Sequence, residues 1–131
     1  MIKYIIGVII LLLLDFSWIY FYMGPRYKML IKNIQSSNME TNIHYAALSY
    51  LLMVIGLIWF IIPKLEGNDI FKESLNGLLF GIILYGVYDF TAAAVLKNWD
   101  IKLAIKDILW GGFVYFITSL VTSFYIKYNK N

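Results

Sequence analysis

The chain of 131 residues has no cysteine, one histidine and two prolines, and only 15% of its residues are charged. Without cysteine there is no disulfide framework, thiol nucleophile or zinc ribbon, and a single imidazole cannot build a histidine metal cluster. Nor does the sequence hold an activated-serine constellation or a phosphate-binding glycine loop. The shortage of charge excludes a whole architecture. An ordinary soluble domain is about half apolar and about a quarter charged, whereas 61% of this chain is apolar and it carries 11 Tyr, 9 Phe and 4 Trp. That leaves too little polar surface to clothe a soluble globule. The net charge of +3 comes from 11 basic residues scattered between apolar runs. They read as headgroup anchors at helix ends, and the pattern argues against nucleic acid as a partner.

What is present is a set of four apolar runs, at about 4–23, 44–62, 75–96 and 101–126. Each is long enough to cross a hydrocarbon layer of about 30 Å as a helix. Alternating ten-residue segments of the kind that build a transmembrane barrel are missing, and backbone satisfaction in lipid then leaves only helices. The expected fold is all-α, a polytopic four-transmembrane-helix bundle forming one membrane domain. The first run is longer than a signal-peptide core, and Gly24-Pro25-Arg26 follows it in place of a small-x-small cleavage site, so it reads as a retained span.

The connections differ. Residues 25–43 open with Arg26, Lys28 and Lys32 interleaved with Tyr27, Leu30, Ile31 and Ile34, a pattern that suits either a basic surface helix or a charged loop. Residues 64–74 read as a solvated loop and nothing more. The third connection, about 97–100, is so short that the third and fourth spans must form an antiparallel hairpin, with Asp100 placed to cap the fourth helix. Four spans put both termini on one side of the membrane. The cation balance between the two sides is too even to fix the orientation.

Three aspartates fall inside the apolar runs: Asp15, Asp89 and Asp107. An aspartate at the centre of a span costs about 2.5 to 3.5 kcal/mol on insertion, so each requires a reason to be there. Asp89 and Asp107 stand at equal distances from the hairpin turn, and Asp15 lies at the same side of the membrane, so the three are expected to converge at one level. Trp18 and Trp110 lie one turn beyond Asp15 and Asp107, and Tyr88 and Thr91 flank Asp89. These seven residues are the candidate ligand- or ion-binding set, with Tyr85 and His44 as weaker members. Gly77, Gly81 and Gly111 read as helix-packing residues whose faces leave a homo-oligomer open. Tyr4, Tyr45, Trp59, Trp99, Tyr125 and Tyr128 fit interfacial aromatic belts.

The same positions carry a resemblance. Asp15-x-x-Trp18, Phe60-x-x-Pro63, Gly77-x-Leu79-Phe80-Gly81, Tyr88-Asp89-Phe90-Thr91, Leu96-Lys97-x-Trp99 and Asp107-x-x-Trp110-Gly111 together resemble the predicted membrane protein family known as domain of unknown function 2177. Its signature runs Y-D-L-T-N and then A-T-L-K-x-W-P; here Phe90, Ala92 and Asp100 stand at the Leu, Asn and final Pro positions. The resemblance implies four membrane helices and no particular activity.

Three functions suit these residues. The first is an intramembrane polar site for protons, a cation or a small ligand, in which Asp89 and Asp107 form the central pair. The second is a lipid-modifying enzyme that uses the carboxylates as acid and base, although the sequence leans away from catalysis. The third is a structural or assembly role in which the acids hold helices together. No cofactor or metal is indicated, and the lipid bilayer is the one partner the sequence implies.

Overall fold

In the hydrocarbon core no water is available to a backbone N–H or C=O, so a spanning segment must bond to itself. The computed structural model describes residues 1–130, and every long apolar run in it is helical, with no strand among the described residues. The helices are α1 (Ile2–Trp18), α2 (Gly24–Gln35), α3 (Ile43–Gly56), α4 (Ile70–Val95) and α5 (Ile101–Tyr128). Helices α1 and α2 are not separated by a loop. A π-helical turn, Ile19–Met23, joins them into one continuous helix, Ile2–Gln35. A second π turn, Leu57–Ile61, followed by a short 3-10 turn, Ile62–Lys64, extends α3. Four helical stretches are thus long and apolar enough to cross a membrane.

Both π turns stand just before the two prolines, Pro25 and Pro63. A π turn pairs each N–H with the carbonyl five residues back and so admits one extra residue into the helix. Gly24 donates its N–H to the Ile19 carbonyl in this way, and a Cβ on Gly24 would overlap that same carbonyl oxygen. Pro25, at the start of α2, has no N–H to lose. The chain that the sequence pattern divides at Gly24-Pro25 therefore runs on as helix. Residues 25–35 form neither a loop nor an isolated surface helix, because Tyr27, Leu30, Ile31 and Ile34 pack against Ala92, Trp99 and Ala104 around the α4–α5 turn.

Helix α4 starts at Ile70, earlier than its apolar run, because the Asp69 side chain caps it by accepting the Lys72 N–H at 3.1 Å. The loop before it is also more ordered than its composition suggests. Glu73 accepts the N–H groups of Gly67 and Asn68, each at 3.2 Å, and the hydroxyl of Ser123 on α5. At the other end of the hairpin Asp100 caps α5 as its position predicts, accepting the Leu103 N–H at 3.1 Å.

Helices α4 and α5 lie against each other along their length, and small residues set how close they come. A Cβ on Gly77 would strike the Ser119 side chain and the Tyr115 carbonyl, and one on Gly81 would strike the Gly111 backbone. Gly86, on the same helix, has nothing within 4 Å of the place a Cβ would occupy. Gly86→Ala is therefore expected to be neutral or to stabilise by up to about 1 kcal/mol, since glycine inside a helix costs about that much relative to alanine. A thermal melt in detergent checks it, and a clear loss of stability would show that Gly86 has a contact partner.

Helix α1 packs on α5, while α3 leans on the bundle chiefly through its π and 3-10 turns. Leu11, Leu57, Ile61, Ile62, Val114 and Tyr115 form the common core. The first half of α3 stands away from this core, with Tyr45, Leu48, Leu51 and Leu52 exposed. Large apolar side chains are exposed on all four spanning stretches, the surface expected against acyl chains.

An intramembrane acid site

Asp15, Asp89 and Asp107 are buried, at 4%, 0% and 5% exposure, although each sits in an apolar run. A buried carboxyl group needs hydrogen-bond partners or a neutralising charge, and here the donors are phenols and an indole. Asp15 on α1 accepts from the Tyr50 hydroxyl of α3 at 2.8 Å and from the Tyr85 hydroxyl of α4. Asp107 on α5 accepts from the Trp18 indole N–H at 3.1 Å. The Tyr27 hydroxyl lies between the other two acids, 3.3 Å from Asp89 Oδ1 and 3.2 Å from Asp107 Oδ2. No lysine, arginine or histidine among the described residues makes a hydrogen bond to any of the three.

The geometry therefore resolves into two linked parts. Asp89 and Asp107 form a pair bridged by the Tyr27 hydroxyl. Asp15 stands beside them with its own two tyrosines. Among the described residues, no group of three or more His, Asp or Glu side chains is arranged to hold a metal ion.

Above the pair, Trp18 stacks on Trp110 with ring centroids 4.6 Å apart and planes within 7°. Trp18 also stacks on Tyr22 at 4.5 Å, and the Arg26 guanidinium lies 3.6 Å from the Tyr22 ring centre. Lys106 donates to the Tyr22 hydroxyl at 3.2 Å. The cations at this end meet the π face and the hydroxyl of Tyr22, one layer removed from the carboxyl groups.

The structure brings together Asp15, Trp18, Tyr85, Asp89, Asp107 and Trp110. Trp110 Nε1 is buried near Asp15 but outside hydrogen-bond geometry, and Asp89 Oδ2 is likewise buried without a donor. Three of the expected residues lie elsewhere. Tyr88 is 57% exposed, meets Trp99 edge to face and hydrogen-bonds to none of the acids. Thr91 points outward. His44 is exposed in the first turn of α3, where its backbone N–H donates to the Asn42 cap at 3.0 Å. The reason is helical phase. The buried face of α4 is centred between Gly81 and Asp89 and includes Ser74 and Ala92; Tyr88 is turned about 100° from Asp89, to the edge of that face, and Thr91 lies beyond it.

Two side chains that bond to the acids escape a reading by sequence, Tyr27 and Tyr50. Counting about 100° per residue, Tyr27 lies about 120° from Asp15 on an uninterrupted α-helix. The extra residue of the π turn brings it back to within about 20°. Tyr50 carried a usable signal, because it sits about two turns into its span, too deep for an interfacial belt, and a phenol at that depth needs a partner.

Four membrane-crossing helices arranged around buried carboxyl groups define a multi-pass integral membrane protein with an internal polar site. Residues 1–124 match the family model described as "Predicted membrane protein (DUF2177)", and the chain belongs to that family. No curated protein and no solved structure matches it.

Proposed function

We propose that the protein is an intramembrane proton-binding protein in which Asp89 and Asp107 share an exchangeable proton through Tyr27, with Asp15 as the neighbouring acceptor. The observation that carries this reading is the double contact of one phenol. Tyr27 has a single hydroxyl hydrogen and two carboxyl oxygens in reach, at 3.3 and 3.2 Å. It can donate to only one of them. The other oxygen then faces the phenol oxygen, and that contact becomes a hydrogen bond only if its carboxyl group carries a proton.

The indole supports one assignment of the roles. Trp18 Nε1 can only donate, so Asp107 Oδ1 acts as an acceptor. With Asp107 as the carboxylate, the Tyr27 hydroxyl donates to its Oδ2, and Asp89 is the acid, its Oδ1 hydroxyl donating to the phenol oxygen. Two carboxylates this close, with no basic side chain bonded to either, cannot both be ionised without a cation between them.

Infrared difference spectroscopy on the detergent-solubilised protein tests the reading. At neutral pH a protonated-carboxyl stretch is expected. It should vanish in both Asp89→Asn and Asp107→Asn, because an amide next to one remaining carboxylate takes over the part of the neutral donor, and it should persist in Asp15→Asn. No such band in the parent protein would sink the proposal. A band lost in only one of the two pair variants would show a single isolated acid in place of a shared proton.

A further inference from the structure

Beyond the acid site, α5 carries a second polar series that the apolar run conceals. Thr118, Ser119, Thr122 and Ser123 are all fully buried, on the same face that presents Asp107, Gly111 and Tyr115. Two of these hydroxyls are spoken for. Thr122 donates back to the Thr118 carbonyl at 2.7 Å, and Ser123 donates to Glu73. Thr118 Oγ1 and Ser119 Oγ are buried with no partner at all. A hydroxyl on a membrane helix ordinarily bonds to the carbonyl one turn back, as Ser74 does to Ile70 at 2.7 Å. Two adjacent hydroxyls that do not, in a fully buried layer, are placed to bond to water, the usual partner of an otherwise unsatisfied buried polar group.

The series has a beginning and an end. From Asp107 to Ser123 the helix rises about 24 Å, most of a hydrocarbon layer of about 30 Å. At the start, Tyr115 lies in the same core as Tyr85, the donor to Asp15, and its own hydroxyl donates to the Met53 carbonyl at 2.9 Å. At the far end Glu73 is half-buried and lines a narrow cleft with Phe60, Ile61, Lys64, Leu65 and Asn76, with room for about one water.

We infer that the buried hydroxyl face of α5 holds a file of water that carries protons between the aspartate site and Glu73 at the opposite end of the bundle. Each step passes one proton forward along a hydrogen bond while the carrier accepts one from behind, so a full transit moves one proton and leaves every hydroxyl and carboxyl as it began. The inference rests on the proton-binding reading of Asp89 and Asp107, which supplies the site the file would serve.

The test measures proton entry into dye-loaded phosphatidylcholine vesicles that contain the full-length protein, driven by a potassium diffusion potential, alongside the infrared band of the shared proton. Thr118→Val with Ser119→Ala removes both unpartnered hydroxyls at nearly constant volume. Entry should fall about ten-fold, roughly the effect of one lost hydrogen bond on a barrier, while the infrared band persists. Thr118→Ser alone should keep the parent rate, and Glu73→Gln should slow entry with the band intact. Parent vesicles no leakier than empty ones, or an undiminished rate in both the double variant and Glu73→Gln, would overturn the water file and leave the aspartate site standing. A missing band in the parent would instead remove the reading beneath it.

Discussion

Gly81→Leu is expected to lose several kcal/mol of stability and to uncouple the acid pair, whereas Gly81→Ala should lose about 1 to 3 kcal/mol. A Cβ at this position would overlap the carbonyl oxygen of Gly111, lie 2.6 Å from its carbonyl carbon and stand 3.0 Å from the Gly112 Cα. All three atoms belong to backbone, which cannot swing aside like the tip of a side chain, so α4 and α5 must separate. In lipid these helices gain little from hydrophobic burial and depend on close packing, so separation removes much of what joins them. Asp89 and Asp107 lie on the same two helices, toward the turn, and the gap opened at Gly81 would pull them away from Tyr27. Thermal denaturation in detergent should rank parent, alanine and leucine in that order of falling midpoint, and the shared-proton band should weaken with the midpoint. An alanine variant as stable as the parent would mean that the hairpin adjusts without cost.

Tyr27→Phe should destabilise by about 1.5 to 3 kcal/mol, the value of a hydrogen bond to a charged partner. The phenyl ring of the variant still packs in the cluster formed by Trp99, Ala92 and Ala104, and only the oxygen is lost. Asp107 keeps the Trp18 indole but loses the phenol hydrogen, and Asp89 loses the phenol oxygen that its acid hydrogen reaches. Tyr88→Phe is the matched control. Tyr88 is exposed and hydrogen-bonded to neither acid, so removing its hydroxyl should change neither the melting temperature nor the infrared band. Equal effects in the two variants would show that the Tyr27 contacts carry no weight.

The contrast between these two tyrosines shows how far the sequence could be read. The four helices, the short hairpin turn and its Asp100 cap follow from apolar run length and a polar residue at the right boundary, both local signals. The three acids are conspicuous because an aspartate in an apolar run is costly, and equal spacing from a turn is enough to bring Asp89 and Asp107 to one depth. What cannot be read from a periodic pattern is phase. Tyr88 neighbours Asp89 along the chain yet is turned about 100° from it and makes no hydrogen bond to it, whereas Tyr27 is remote and reaches it through the extra residue of a π turn. A Gly-Pro pair usually signals a helix end, and here it marks a helix that changes register and continues. The hydroxyls of α5 are hidden for another reason. Thr and Ser are common packing residues between membrane helices, and only the absence of any hydrogen-bond partner distinguishes Thr118 and Ser119.

The partners of Asp15 have a definite order along the chain. The ribosome delivers Asp15 first, and the α5 acid Asp107 last. Of the two phenols that hold Asp15, Tyr50 emerges with the second span and Tyr85 only with the third. A nascent chain made of α1 through α3 already contains a donor for its buried acid, so the first hairpin can settle in lipid before the helices that complete the site exist. The loosely held α3, which contributes little to the finished core, then has a second use as the early escort of Asp15.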